Sequence, residues 1–411
     1  MTLSIWLDER ASGEEILDEV DVAIIGGGIV GAASAYLLHA SDATRAAKVA
    51  LFEARSIASG STGRNAGFVL RGIQAYYNHA VKLYGREIAR EVFKFADENQ
   101  RQIRLFAESI KDRPDLDFEL SECGSYLLAS SLEELDDLKQ SAQLMQEDGF
   151  DAEFLVDDPI DRDFYGAIFN PRDFAINPVK LTRALLAKSN ARVFENEEVF
   201  SVKKSPSGGK LVVSTPRRAL IANRVLLATN AYAALGSYAL AEKLNVVRGQ
   251  ILVTPPLKKR LKLLESICYA NYGFEYFRQL PDNRLLLGGC RQQFMDEERG
   301  FGDTVTRSVQ QALESYLKNR FPECAGTPVD YRFSGLMAFT NDGLPLVGEH
   351  EGLPGVFCAV GCNGHGLGFG LNLARMLVNV ALMGASAGSF SVSRQSLKKP
   401  LAMASSGEKG P

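Results

Sequence analysis

The segment that most constrains the fold is residues 22–38, VAIIGGGIVGAASAYLL, which contains no charged residue. Its length is close to that of a membrane span, but the three consecutive glycines Gly26–Gly28 interrupt it. Each glycine inside a helix costs about 1 kcal/mol of helix propensity. A strand, a turn and a helix use these residues better, because VAII is an apolar run typical of a buried parallel strand and helical spacing begins at Ile29. The segment therefore predicts a β-turn-α unit and no membrane span.

Three glycines of this segment, Gly26, Gly28 and Gly31, fit the pattern GxGxxG, which binds a diphosphate at a helix N-terminus. A lone GxGxxG is weak evidence. Here a second apolar run, Val49–Phe52, follows the helix and leads into Glu53, where an acid can hydrogen-bond ribose hydroxyls. Together these features predict a site for an ADP-containing dinucleotide. The alternative is a glycine-rich packed helix without a ligand.

The bulk properties narrow the class of protein. A chain of 411 residues has the length of two or three domains, and its net charge of −4 gives no reason to expect nucleic acid as a partner. The six cysteines include no CxxC pair, so we expect no metal site and a reducing, cytoplasmic location. The N-terminus lacks the pattern of a secretory signal. The Ser/Pro/Gly-rich residues 391–411 are predicted to form a flexible tail.

The loop after Glu53, residues 53–68 (EARSIASGSTGRNAGF), has no periodicity and is rich in hydrogen-bond donors. Here the sequence resembles the D-amino-acid oxidase-like FAD oxidoreductases, the group of glycine oxidase and sarcosine oxidase. In those proteins the segment starts with an acidic residue and Arg or Ser, and a GxSGRNAG-like loop follows. Four later segments match in the family's order, and they are VLLATN (225–230), YFRQLPDNRLLLGG (276–289), GLMAFTNDGLPLVG (335–348) and GVFCAVGCNGHGLGFGLNL (355–373).

The resemblance implies an α/β fold with two domains. A Rossmann-like FAD-binding domain of the glutathione-reductase type would be assembled from residues 18–110, 175–240 and 330–390. A second, α+β substrate domain with an antiparallel sheet would comprise residues 111–174 and 241–329. The substrate would enter at their junction, above the flavin.

A second glycine-rich loop lies near the C-terminus. The apolar run Val356–Val360 precedes five glycines within ten residues, and a helix is predicted over 371–383. A loop that leads into a helix N-terminus can hold a polarised flavin ring, and the family places its GHG loop there. The alternative is a purely structural loop.

The fingerprint and the resemblance together give the expected FAD contacts. Val199 falls where members of the family contact the adenine through the backbone. The cysteine to which sarcosine oxidases attach their flavin covalently corresponds to Gly335 here, so FAD is expected to be non-covalent. The cofactor residues are Gly26, Gly28, Ile29, Val30, Gly31, Glu53, Ala54, Arg55, Ser61, Thr62, Arg64, Asn65, Ala66, Gly67, Val199, Gly361, Gly364, His365, Gly366, Leu367 and Gly368.

The chemistry implied by the resemblance is oxidation of a C–N bond in an amine or amino acid. The α-hydrogen leaves as hydride to flavin N5, the imine hydrolyses, and oxygen or another acceptor takes the electrons. His365 is the candidate catalytic residue, and its alternative role is a hydrogen bond that holds the loop. The substrate-domain lysine with which sarcosine oxidases activate oxygen is absent from residues 271–280, NYGFEYFRQL.

Two carboxylate anchors of the family are missing. Glycine oxidase-like members have an arginine where this chain has Met337, and sarcosine oxidase-like members have a lysine where it has Gly368. Either another cation binds the acid group of the substrate, or the substrate has no α-carboxylate. Arg71 and Arg278 are the candidate cations, each of which could instead form a structural ion pair or surface charge. Tyr276 is the candidate for an aromatic wall beside the amine, unless it only packs within its strand.

Two other classes of function remain open from the sequence. The missing anchors fit an FAD-binding assembly or scaffold protein with weak or lost catalysis. A simple NAD dehydrogenase would share only the first glycine pattern. Along the rest of the chain we predict one long helix over 81–110, a strand over 118–130 and a helix over 303–320.

Overall fold

The computed structural model describes residues 16–206 and 208–398. Its strands are β1 Ile16–Ile25, β2 Val49–Phe52, β3 Phe68–Val69, β4 Ser125–Leu128, β5 Glu153–Leu155, β6 Ala167–Asn170, β7 Phe174–Ala175, β8 Arg192–Phe194, β9 Ser201–Lys204, β10 Leu211–Ser214, β11 Ala219–Leu227, β12 Leu244–Val253, β13 Ile267–Ala270, β14 Glu275–Gln279, β15 Leu285–Gly289, β16 Tyr331–Thr340, β17 Leu346–Glu349 and β18 Val356–Val360. Its helices are α1 Ile29–Ala40, α2 Tyr77–Tyr84, α3 Arg86–Ser109, α4 Leu132–Glu147, α5 Pro178–Ala187, α6 Ala233–Gly236, α7 Tyr238–Ala241, α8 Arg307–Arg320 and α9 Gly366–Met383.

The first sheet carries the predicted dinucleotide unit. Its strand order is β17-β18-β11-β1-β2-β8, with β9 and β10 attached through β11. The strands from β18 to β8 run parallel, and β1 lies between β2 and β11. Helix α1 packs against α5 and α9, and α9 also packs against α3. Because the carboxyl ends of parallel strands meet at one edge, the loops after β1, β2 and β18 come together there.

The second sheet is mostly antiparallel, in the order β16-β12-β15-β14-β13-β4-β6-β5, and α8 packs against β12 and β15. Strand β16 pairs along its whole length with β12. The boundary predicted at residue 330 therefore differs from the structure, since residues 331–340 belong to the second sheet. The reason is that the apolar pattern of a strand shows its burial but not the sheet that it joins.

Other sequence predictions are corrected in detail. The helix predicted over 81–110 is two helices, α2 and α3, because Gly85 between them has φ +82° and ends the first helix. Of the strand predicted over 118–130 only β4 forms, and the helix predicted from residue 303 begins at Arg307. Helix α9 begins at Gly366, five residues before the predicted start.

The predicted tail is partly structured. Val392 and Leu397 are buried in a hydrophobic cluster, and Arg394 donates to the Asp342 carboxylate at 2.5 Å. Val392 and Leu397 therefore attach this segment to a cluster with residues from both sheets, which the polar composition did not reveal. The remainder of the predicted tail, 399–411, lies outside the described residues.

Within the described part of the chain, α9 is the helix with the length and apolar composition of a membrane span, and 61% of its residues are buried inside the protein. It packs against α1 and α3. A core helix that is apolar on most of its faces has this composition too.

Candidate active site

Both glycine loops open into one cavity of about 2140 Å³ between the two sheets. Pockets for small ligands measure roughly 300–1,000 Å³, so this cavity has room for a dinucleotide and a substrate. The predicted residues that line it are Gly26, Gly28, Ile29, Val30, Glu53, Ala54, Arg55, Ser61, Thr62, Arg64, Asn65, Ala66, Arg71, Val199, Tyr276, Gly364, His365, Gly366, Leu367 and Gly368. The predicted residues Gly31, Gly67, Gly361 and Arg278 are not among the lining residues.

The first glycine loop has the geometry of a phosphate-binding turn. Gly26 has φ +110°, and a Cβ on Gly31 would lie 1.9 Å from the Gly26 carbonyl oxygen. Gly31 therefore serves the close approach of α1 to β1 and does not contact the cavity. The Thr62 hydroxyl accepts a hydrogen bond from the Ile29 amide at 3.0 Å, at the positive end of the helix dipole. This helix terminus and its hydroxyl suit a diphosphate.

Glu53 is held at the end of β2 by backbone amides. Its carboxylate accepts hydrogen bonds from the amides of Gly27 at 2.8 Å and Arg55 at 2.9 Å. Each carboxylate oxygen can accept a further bond, so Glu53 remains able to bind ribose hydroxyls in the cavity. Farther along, the buried Thr229 Oγ1 lines the cavity and has no hydrogen-bond partner among the described residues. Such a polar atom fits a bound dinucleotide, and sequence reasoning missed it.

His365 lies in the second loop, immediately before α9. Its Nδ1 lies 3.2 Å from the Asn363 carbonyl oxygen, and its ring stacks on Tyr269 with centroids 6.4 Å apart. Burial lowers the pKa of His365, so the ring is neutral near pH 7. With Nδ1–H donating to the carbonyl, Nε2 is left as an acceptor. The structure thus shows the loop-holding hydrogen bond and also places the ring at the cavity.

Arg71 does not offer a free cation. Its side chain is 1% exposed and donates to Asp97 at 2.5 Å and to the Asp151 carboxylate at 2.6 Å. A third bond reaches the Asp151 carbonyl oxygen at 3.0 Å, and the guanidinium lies over Phe150. This arrangement argues against the predicted contact with substrate. The carboxylates come from segments distant in the chain, which the sequence did not connect.

Arg278 is also displaced from the predicted role. It is 8% exposed, and its Nη1 lies 3.4 Å and 3.5 Å from the carbonyl oxygens of Ala66 and Gly67. Burial lowers the pKa of this guanidinium. Arg278 therefore packs behind the loop predicted to hold the flavin and does not reach the cavity.

Tyr276 lies where an aromatic wall was predicted, in a chamber that is part of the same cavity. Its ring lies 5.7 Å from that of Tyr269, and burial raises the pKa of Tyr269 to about 12, so this hydroxyl keeps its proton. The residues of this chamber, which we call the aromatic chamber, are Tyr269, Phe274, Tyr276, Arg291, Met337, Phe339 and His365. Of these, sequence reasoning missed Arg291 as a candidate.

The residues of both loops thus fit FAD, and comparisons with known proteins agree. Residues 21–380 match the family model described as FAD dependent oxidoreductase. Glycine oxidase of Geobacillus kaustophilus is 28% identical over 83% of this chain and 87% of its own length. Gamma-glutamylputrescine oxidoreductase of Escherichia coli is 26% identical over 84% of this chain and 80% of its own length.

Solved structures show the same fold. The crystal structure of glycine oxidase from Geobacillus kaustophilus superposes with a TM-score of 0.76 and 24% identity, covering 92% of this chain and 99% of that chain. L-proline dehydrogenase from P. horikoshii has a TM-score of 0.72 and 21% identity, over 90% and 96% of the two chains. These similarities confirm the predicted α/β fold class and the resemblance noted in the sequence. The chain belongs to the FAD-dependent oxidoreductase family, and FAD is its cofactor.

Proposed function

We propose that this FAD-dependent oxidoreductase oxidises a C–N bond of an amine or amino acid and releases an imine that water hydrolyses. The observation that carries the proposal is the continuity of the cavity, which joins both glycine loops to the aromatic chamber at the junction of the sheets. The relatives named above act on glycine and gamma-glutamylputrescine, and both compounds contain amine nitrogens.

When bound, FAD supplies the acceptor for a hydride. The chain's own residues create the conditions for that transfer. An amine must be neutral before its α-hydrogen can leave as hydride, and an environment of low polarity favours the neutral amine. The rings of Tyr269, Phe274 and Phe339 provide such walls. His365 Nε2 is an acceptor at the same chamber and can accept a hydrogen bond from an amine N–H, which orients the substrate.

The residues that bind FAD are proposed to hold it without a covalent bond. Six free cysteines occur in the chain, and burial raises the pKa of the Cys362 thiol, in the second glycine loop, to about 12. A thiol with so high a pKa is a poor nucleophile. Acid precipitation of the holoenzyme should therefore release all flavin to the supernatant. The same free thiols support the proposal of a cytoplasmic location.

The decisive experiment is anaerobic reduction of the holoenzyme. The flavin band near 450 nm is followed while D- and L-amino acids, N-methyl amines and polyamines are added in turn. Bleaching by one class, followed by recovery of the band in air, would support oxidation with oxygen as acceptor. Recovery only with an artificial dye would indicate a dehydrogenase.

Photoreduction of the same sample is the matched control, because it shows that the flavin is reducible. A flavin that photoreduces but is bleached by no amine would refute the proposal. That result would favour the second candidate, an FAD-binding scaffold protein, to which Met337 in place of the family's arginine already points.

A further inference from the structure

We propose that Arg291 binds the carboxylate of the substrate, so that the substrate is an amine that also carries an acid group. The inference rests on the proposed function and specifies the substrate class for the same site. It assigns the missing anion contact to a residue on a turn of the second sheet, directly after β15.

Arg291 is a cation without a counterion. Its guanidinium lies 4.9 Å from the ring centroid of Phe274 and 5.3 Å from that of Phe339. Within residues 16–206 and 208–398 the guanidinium forms no ion pair, and its one hydrogen-bond partner is the Met295 sulfur at 3.8 Å. Aromatic rings stabilise the faces of a guanidinium but leave the N–H edge, which pairs bidentately with a carboxylate, without an acceptor.

The other arginines at the cavity wall are engaged. Arg71 is held by two carboxylates, and Arg218 has a nitrogen 3.0 Å from a Glu197 oxygen. Arg64 donates to the carbonyl oxygens of Ser59 and Ser334, and Arg55 donates to the Tyr232 hydroxyl. Arg217 lies 3.8 Å from Glu197. Among the described arginines that line the cavity, Arg291 is thus the one whose guanidinium has no oxygen partner.

The one carboxylate whose charge acts on Arg291 among the described residues is that of Glu298, and it is already paired. Glu298 accepts from Arg248 at 2.6 Å and 3.0 Å and from Gln250 at 2.9 Å. Arg291 is half-buried, and partial removal from water disfavours a cation that has no partner. Burial lowers the pKa of Arg291, as expected for such a site, although an arginine stays charged. A guanidinium without an acidic partner in the protein can pair with an anion that enters from outside.

Arg291 lies where the anion is needed. A Cβ on Gly364, in the second glycine loop, would lie 3.5 Å from the Met337 sulfur and 3.7 Å from Phe339 Cζ. Phe339 is also the ring over which Arg291 lies. The cation therefore shares the chamber with Met337, the position from which the arginine of glycine oxidase-like members is missing.

The test uses benzoate as a carboxylate probe on the oxidised holoenzyme. Benzoate is expected to perturb the flavin absorption spectrum saturably, while the neutral isostere benzamide does not. In R291Q the benzoate Kd should rise about 10- to 100-fold, as expected for loss of a charge-assisted pair. R299Q is the matched control, because Arg299 is exposed and its replacement removes the same charge. It should leave the Kd unchanged.

A rescue variant separates charge from folding. R291Q/M337R returns a guanidinium to the same chamber and should recover benzoate binding. If R291Q loses FAD, wild-type protein serves instead, since benzoate should protect Arg291 from phenylglyoxal modification, read by peptide mass spectrometry. Unchanged benzoate affinity in R291Q, absence of any benzoate effect on wild type, or absence of protection would overturn the inference.

Failure of the inference and failure of the proposed function give different results. If amines without an acid group reduce the flavin and benzoate does not bind, the anion site is refuted and the oxidation stands. If benzoate binding depends on Arg291 but no amine reduces the flavin, the oxidation is refuted and the anion site stands.

Discussion

Replacing Arg71 by methionine should destabilise the protein without weakening substrate binding. The Arg71 side chain is 1% exposed, and its carboxylate partners Asp97 and Asp151 are 22% and 37% exposed. Removing one member of a buried ion pair costs about 3–5 kcal/mol, because it leaves a buried charge unpaired. Asp151 keeps a second partner, Arg172 at 2.6 Å, and is partly hydrated. We therefore expect a loss near the lower end, about 3 kcal/mol.

The assay is denaturant unfolding followed by far-UV circular dichroism, with FAD held at one saturating concentration because bound cofactor adds to stability. R172M is the control, since Arg172 is 59% exposed and its pair with Asp151 should contribute about 0–1 kcal/mol. The benzoate Kd is measured in both variants. If R71M kept wild-type stability but lost benzoate affinity, Arg71 would be a substrate ligand and our interpretation of its ion pairs would be wrong.

Three further predictions concern the cofactor loop and one buried acid. Gly31→Ala would place a Cβ 1.9 Å from the Gly26 carbonyl oxygen, so the ratio of flavin to protein absorbance in purified protein should fall at least about 10-fold. Glu53→Gln keeps an acceptor but loses the charge, and the FAD Kd, from fluorescence titration of apoprotein, should rise about 10-fold. Burial raises the pKa of Asp173 to about 6, so the folded state binds this proton more tightly than the unfolded state. The contribution of Asp173 to the free energy of unfolding is therefore fully present below about pH 4 and is lost, by up to about 3 kcal/mol, as the pH rises through 6. Denaturant unfolding of D173N should lack this slope between pH 4 and 6.

The parts of the fold that the sequence predicted are those determined by neighbouring residues. The strand Val49–Phe52 and the start of α1 at Ile29 have the predicted bounds. The strand follows from one uninterrupted apolar run, and the helix start follows from the glycine turn directly before it. The break at Gly85 was missed, since the helical spacing of apolar residues continues on both sides of it. The periodicity of apolar residues shows which face of a helix is buried. It therefore does not reveal a change in helix direction that keeps the same face buried.

The substrate side was less predictable because partners come from distant segments. Arg71 lies just after the flavin loop in the sequence, but its partner Asp97 lies on α3 and its partner Asp151 follows α4. Tyr276 and Arg278 are two residues apart in β14 and so share a face of the strand, but only Tyr276 reaches the cavity. The loop at Ala66 and Gly67 covers Arg278, and no local sequence pattern predicts that this loop buries the side chain.

Arg291 was missed because the backbone before it is irregular. Tyr276 pairs with Gly288 in β15, but Gly289 at φ +124° and Cys290 at φ +59° then interrupt the alternation that relates sequence position to side-chain direction. Two unpaired guanidinium groups in one chamber would repel each other. If Arg291 supplies the cation, a neutral residue at position 337 is what the chamber requires, and Met337 is then a consequence of the relocated charge and not a sign of lost catalysis. By the same argument, M337R alone should weaken folding more than R291Q/M337R does.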